Sequence, residues 1–141
     1  MATFNKILDY VEQVNKGVHI WSSHTFKALL TNSAPVNTNT IAANLTDISA
    51  GNGYTAGGMT LDTVTLSEAS GTAKVTIADE VLTASGGSIG PFRYVAIYND
   101  TATSPADALV CWYDYGSAIT LASGETLTLD FDATNGLWQM T

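Results

Sequence analysis

Three groups of residues have types and spacings that could support chemistry, and the most conspicuous is rich in glycine. The segment 51–58 holds four of the twelve glycines, and its Gly51-x-Gly53-x-x-Ala56 spacing formally matches a dinucleotide-binding fingerprint. Such a site needs a helix N-terminus after the glycines to hold the phosphates. Here the alternating pattern that begins at Met59 predicts a strand instead. We interpret the segment as a rigid corner of the fold and expect no cofactor; its defining residues are Gly51, Gly53, Tyr54, Gly57 and Gly58.

The histidines and the cysteine form the second group. His19 and His24 lie five residues apart, with no nucleophile-elbow sequence and no Cys or His companions at zinc spacing. A hydrolytic site built on either histidine stays open as an alternative, because triads are recognised by geometry. Cys111 lies in an apolar run, which predicts a buried, inert thiol, and a single cysteine permits no intrachain disulfide. The expectation is therefore a protein that is not an enzyme.

Two carboxylates form the third group. Asp130 and Asp132 alternate along a predicted strand, which places them on one face and roughly 7 Å apart. Calcium prefers several oxygen ligands, but no EF-hand loop accompanies this pair. We interpret the pair as part of a solvated strand face and expect no bound metal.

Composition limits the classes of partner. The 141 residues include 13 Asp and Glu against 5 Lys and Arg, for a net charge of −8. This balance repels phosphate and argues against direct binding of nucleic acid. No apolar stretch approaches the roughly 20 residues of a membrane span, so no membrane partner is expected. The N-terminal residues lack the apolar region of a signal peptide, which predicts use without secretion.

The first elements in the chain predict an amphipathic helix over residues 3–16. Thr3 is a suitable N-cap, and Gly17 is well placed to end the helix. The helix is expected to pack on the core of its own domain or on a neighbouring subunit. Its apolar stripe consists of Phe4, Ile7, Leu8, Val11 and Val14. We therefore divide the chain into an N-terminal helix, 1–17, and a β-sandwich, 18–141, within one compact domain.

The rest of the chain predicts seven or eight short strands with turns between them. The most apolar segment, 92–98, is expected to be a central strand covered on both faces. Asn135-Gly136 predicts a hairpin that joins strand 125–132 to strand 137–140. The fold class is mainly β, a single antiparallel sandwich of jelly-roll type, with an immunoglobulin-like sandwich as the alternative. The other predicted strands cover 18–21, 25–31, 59–66 (with a bulge near Asp62), 72–78 and 109–113.

Four segments together resemble the capsid decoration, or cement, proteins among the small virion proteins of tailed bacteriophages. The resemblance covers about residues 4 to 138. The segments are 25–32, 51–58, 90–101, and the stretch from Asp114-Tyr115-Gly116 through Gly124-Glu125-Thr126 to Asp130-Phe131-Asp132.

The resemblance implies a structural protein, assembled in the host cytoplasm and located on the outside of an icosahedral shell. Such proteins form homotrimers and clamp neighbouring major capsid subunits, and they carry no catalytic residues. The expected contact residues are Phe4, Ile7, Leu8, Val11, Trp21, Tyr115 and Trp138. A tail or head-fibre module that binds host glycans is the alternative, since Trp21, Trp112, Tyr113, Tyr115 and Trp138 could line a sugar-binding face.

Overall fold

Antiparallel strands dominate the structure, a computed structural model that describes residues 2–141. The prediction of a mainly β, antiparallel fold is confirmed. The elements are β1 (Thr3–Lys6), α1 (Tyr10–Asn15), β2 (Phe26–Thr31), a 3-10 turn (Ala42–Asn44), β3 (Met59–Thr60), β4 (Thr65–Ala69), β5 (Thr72–Thr76), β6 (Glu80–Thr83), β7 (Ile89–Thr103), β8 (Ala106–Leu121), β9 (Thr126–Leu129) and β10 (Trp138–Met140).

A five-stranded sheet, in the order β1-β8-β7-β2-β3, forms the larger layer. Its centre is the long hairpin of β7 and β8, and the predicted central position of segment 92–98 is confirmed. The two strands run on to a tight connection at Ser104-Pro105, well beyond the predicted strand bounds 92–98 and 109–113. β8 likewise continues through Gly116, past the predicted end of its strand at residue 113. Pairing between the two long strands extends the ladder through these turn-prone residues.

Two smaller sheets carry the remaining strands, in the orders β10-β5-β4 and β6-β9. β5 leads directly into β6, and β9 leads into β10. The two stretches of chain, 72–83 and 126–140, therefore run side by side, and we call each of them an arm. Between the paired residues Val75↔Trp138 and Glu80↔Leu129, one arm has the four residues 76–79 and the other has the eight residues 130–137. The longer arm therefore bulges out between the two small sheets; we call residues 130–137 the bulged arm.

The predicted hairpin at Asn135-Gly136 is wrong, since β9 pairs with β6 and β10 pairs with β5. The cause is local hydrogen bonding by Asp132. Its carboxylate accepts N–H groups from Thr134 and Asn135 at 2.8 and 2.9 Å, and its carbonyl accepts the N–H of Gly136. These bonds turn the chain inside the bulged arm before β10 begins, and Asp130 and Asp132 consequently lie outside any strand.

The predicted N-terminal helix over 3–16 is also wrong. Residues 3–6 form the edge strand β1, paired with β8 from Thr3↔Asp114 to Lys6↔Cys111, and α1 covers only Tyr10–Asn15. Apolar residues at helical spacing favour a helix locally, but β8 offers an unpaired edge, and pairing with it satisfies the backbone of residues 3–6. The ring of Phe4 meets that of Tyr113 edge-on, with centroids 5.5 Å apart. Residues 3–6 thus belong to the main sheet rather than to a helix.

Two other predicted strands differ from the structure. Residues 18–21 form no strand; they lead into turns that place Trp21 in the core. The predicted strand 59–66 is divided into β3 and β4, which belong to different sheets. The division occurs beside Thr63, whose φ of 49° is incompatible with an extended ladder.

Two buried clusters connect the layers. The larger contains residues of the main sheet, such as Phe26 and Ile97, together with Val75 and Leu137 from the smaller layer. The second contains Leu30 and Phe92 of the main sheet with Leu82 of β6. Each small sheet is therefore held against the main sheet by its own apolar cluster.

Candidate functional site

The glycine corner, residues 51–58, lies against the main sheet. Tyr54 is 3% exposed, and its hydroxyl accepts the backbone N–H of Leu30 at 3.0 Å and donates to the Asp47 carboxylate at 2.5 Å. Burial is the first cause of a raised pKa at the Tyr54 hydroxyl, and the bond with Asp47 adds to it. The other oxygen of Asp47 accepts the N–H of Gly57 at 2.7 Å. One buried tyrosine and one carboxylate thus fix the corner to β2.

Two glycines of the corner are in very close contact with backbone atoms of other segments. A Cβ at Gly58 would overlap with the carbonyl of Ala28 and lie 2.9 Å from the Cα of Leu29, and one at Gly53 would overlap with the carbonyl oxygen of Thr83. The hydroxyl of Tyr98 donates to the carbonyl of Gly57 at 2.5 Å. Since β3 rather than a helix follows, the corner has no helix N-terminus to bind phosphate. The role of the glycine corner is therefore to pack against the main sheet.

The two histidines lie on either side of the fully buried Asn99. The amide nitrogen of Asn99 donates to the carbonyl of Val18 at 2.9 Å and lies 3.0 Å from His24 Nδ1 and 3.4 Å from His19 Nδ1. In residues 2–141 neither ring is hydrogen-bonded to a serine, threonine or cysteine. The histidines therefore act together with Asn99 to position the segment before β2.

Burial at 5% exposure lowers the pKa of His19 from 6.5 to about 4, and the neighbouring His24 adds to the effect. The unfolded chain takes up a proton at this site below about pH 6.5 and the folded chain does so only near pH 4. His19 therefore contributes stability fully above about pH 6.5, and that contribution is lost as the pH falls toward 4.

We expect the free energy of unfolding to fall by about 2 kcal/mol from this site between about pH 7.5 and pH 5. Urea denaturation of the native chain and of His19→Gln at both pH values measures it. The variant should lack this part of the pH dependence. An identical pH dependence in the two proteins would show that His19 does not titrate as stated.

Packing and local hydrogen bonds account for the positions of Cys111 and of Asp132, one of the two predicted paired acids. Cys111 is 1% exposed, as predicted, and burial raises the pKa of its thiol. Asp132 is engaged in the turn of the bulged arm, and those bonds, led by the Asn135 N–H, lower the pKa of its carboxyl. Across residues 2–141, no group of three or more His, Cys, Asp or Glu side chains has the geometry of a metal site.

A cleft of about 1110 Å³ lies between the main sheet and the smaller layer. Its lining comes from β1, β7 and β8 of the main sheet and from β9 and the bulged arm. Apolar side chains dominate its lining: Phe4, Phe92, Val95, Tyr113, Tyr115, Ile119, Leu127, Leu129, Phe131 and Leu137. A smaller cavity of about 190 Å³ lies beside it, and Phe4 and Leu137 line both. We call the larger feature the edge cleft.

The charged residues of the edge cleft are mostly acidic. Asp79, Asp130 and Asp132 line it, with Arg93 as the one basic lining residue in the described chain. Arg93 is neutralised by a two-point ion pair with Asp114, at 2.7 and 2.9 Å. The same pair lowers the pKa of the Asp114 carboxyl. The cleft thus combines an apolar floor with carboxylates at its rim.

The expected contact residues occupy three kinds of position. Phe4 and Tyr115 are 46% and 55% exposed and lie on the edge cleft, while Leu8 and Val11 are exposed outside it. Trp138 is half-buried and lines the smaller cavity. Ile7 and Trp21 are 1% and 3% exposed. Those two are core residues, and the Trp21 ring stacks on Phe26 with centroids 3.8 Å apart.

Sequence reasoning missed several residues of the edge cleft, among them Arg93, Asp79 and Leu127. They come from β7, from the link before β6 and from β9, and no local motif connects them. Residues of the bulged arm line the cleft, and the only local signal for them was the run of turn-forming residues from Asp132 to Gly136.

No helix within residues 2–141 is long and apolar enough to cross a membrane. Comparison of the chain with protein-family models, with curated proteins and with solved structures finds no match.

Proposed function

We propose that the chain is a structural virion protein, a capsid decoration or cement protein that binds the outside of an icosahedral shell and clamps major capsid subunits. The observation that carries the proposal is the edge cleft: a preformed, largely apolar surface whose lining includes the exposed Phe4 and Tyr115. Preformed surfaces of this kind bind partners with little ordering cost. The sequence resemblance to cement proteins adds support from an independent direction.

The histidines and the cysteine support a non-enzymatic role. His19 and Cys111 are buried, and the histidine rings contact Asn99 rather than a nucleophile. General-base catalysis needs a base within reach of the group that it deprotonates. The role proposed here therefore requires no cofactor and no catalytic residue.

The finer features of the proposal are a jelly-roll-like sandwich, a homotrimer and a location on the capsid exterior after assembly in the host cytoplasm. The exposed Leu8 and Val11 are suitable for contacts between copies, since large apolar side chains at the surface favour association. The net charge of −8 fits an outer-surface protein that touches neither the packaged nucleic acid nor a membrane.

Binding to shells tests the function. We expect the purified protein to sediment with expanded shells of the phage that encodes it, and the double variant Phe4→Ser, Tyr115→Ser to lose at least about tenfold in affinity. Val81→Ser is the matched control, because Val81 is 60% exposed but does not line the cleft. Failure of the native chain to sediment with shells would overturn the proposal.

A glycan-binding module of a tail or head fibre is the second candidate. It is favoured by the aromatic rings of Phe4, Tyr113 and Tyr115 beside the carboxylate of Asp130, since sugars stack on aromatic rings and bond to carboxylates. Trp21, buried in the core, drops out of the predicted sugar-binding face. A glycan array, followed by a tryptophan fluorescence titration, decides; no response in either retires this candidate.

A further inference from the structure

We propose that the edge cleft binds an extended segment of the partner protein in which apolar residues alternate with lysine or arginine. This inference rests on the proposed function and names the chemistry of the partner segment. The cleft, at about 1110 Å³, exceeds the roughly 300–1,000 Å³ of ordinary small-molecule pockets. It has room for several residues of chain.

The strands at the cleft suit an extended occupant. β1 pairs only with β8, and β9 pairs only with β6, so each has one edge without a strand partner in the described chain. Phe4 of β1 and Leu127 to Leu129 of β9 line the opening. An extended peptide can add its backbone hydrogen bonds to such an edge.

The apolar lining and the acidic rim of the cleft together predict that apolar and basic residues alternate in the occupant. A strand directs successive side chains to opposite sides. Apolar side chains of the occupant would pack on Phe92, Val95 and Leu127, and the residues between them would face the rim. There Asp130 is exposed and takes part in no ion pair within residues 2–141, which favours a cationic partner.

Charge also decides against a second copy of this chain as the occupant. The chain carries −8 overall and has only five basic residues. Lys16, Lys27 and Arg93 are paired with Glu12, Asp100 and Asp114, respectively. Lys74 donates to the carbonyl of Thr134 in the bulged arm itself. The fifth, Lys6, is the only basic residue among positions 2–15, so no segment of this chain alternates apolar residues with lysine or arginine, and a basic, extended segment must come from another protein.

A peptide titration tests the inference without shells. The probe is a fluorescein-labelled peptide of about six residues, the length of an ordinary strand, that alternates lysine and valine. Two control peptides replace either lysine by glutamate or valine by serine. We expect the lysine–valine peptide to bind at least about tenfold more tightly than either control by fluorescence anisotropy. Equal binding of the glutamate–valine peptide would overturn the inference.

Charge inversion at the rim locates the binding. Asp130→Lys should weaken binding of the lysine–valine peptide by about fivefold at low salt. The difference in affinity between the variant and the native chain should shrink as the ionic strength rises. Glu68→Lys is the matched control: it makes the same charge change on exposed β4, at the opposite edge of the layer from the cleft. Equal weakening by both variants would assign the effect to net charge and overturn the inference.

The two proposals fail in different ways. Shell binding without peptide binding would overturn the inference and leave the function in place. Peptide binding that depends on Asp130, without shell binding, would support the inference on the cleft and overturn the proposed function. Sedimentation velocity adds a third outcome: a dimer that Tyr115→Ser disperses would identify a second copy as the occupant and overturn the inference.

Discussion

Gly58→Ala is expected to lower the free energy of unfolding by at least about 4 kcal/mol, a loss of the size seen when backbone strain and overpacking combine. The added methyl group would overlap with the carbonyl of Ala28 and lie 2.6 Å from its carbon. The carbonyl carbon and oxygen belong to the backbone of β2, which pairs with β7 on one side and with β3 on the other. Relief therefore requires the corner to detach from the main sheet. Denaturant unfolding followed by tryptophan fluorescence measures the loss.

Gly51→Ala is the control for Gly58→Ala. Gly51 also has a positive φ, 129°, but nothing lies within 4 Å of the position that a Cβ would occupy. Its cost should be limited to backbone strain, about 1–2 kcal/mol. Equal losses in the two variants would show that the close approach to Ala28 contributes nothing.

Phe26→Ala should remove about 4 kcal/mol of stability, within the range for emptying a buried phenylalanine site. Phe26 is completely buried, stacks on Trp21 and belongs to the cluster that connects both layers. The backbone around it is held by the pairing Phe26↔Asn99, so the site cannot readily collapse to fill the cavity. Urea denaturation should give a lower midpoint with a nearly unchanged slope.

Phe4→Ala is the matched control for Phe26→Ala. The same atoms are removed, but Phe4 is 46% exposed on an edge strand, and we expect a loss below about 1.5 kcal/mol. The comparison separates burial from side-chain identity. A loss at Phe4 as large as that at Phe26 would mean that β1 is essential to the main sheet.

The local pattern of apolar residues was sufficient to predict strands where apolar and polar residues alternate or where the apolar character is continuous. Segments 72–78 and 92–98 are examples, and both contain strands of the structure. Their side chains pack on one or both faces, so the local pattern and the tertiary contacts favour the same conformation. The buried Cys111 follows from the same reasoning.

Prediction failed where pairing depends on distant residues. The spacing of Phe4, Ile7, Leu8 and Val11 favours a helix, and only the free edge of β8 turns residues 3–6 into a strand. Asn135-Gly136 is a strong hairpin signal, but the bonds to Asp132 confine it to the bulged arm. The edge cleft has the same origin, since it is made by chain segments that meet only after both layers have formed.

The arms of unequal length make one part of this protein tolerant of insertion. The pairings Val75↔Trp138 and Glu80↔Leu129 fix the chain on both sides of residues 130–137. The exposed turn 133–135, between the buried Phe131 and Leu137, can therefore lengthen without disturbing either small sheet, and each doubling of a loop costs only about 0.6 kcal/mol in closure entropy. Because the bulged arm also lines the cleft, changes in its length can alter which partner is bound while the scaffold remains constant. It is also a suitable position at which to display a foreign peptide.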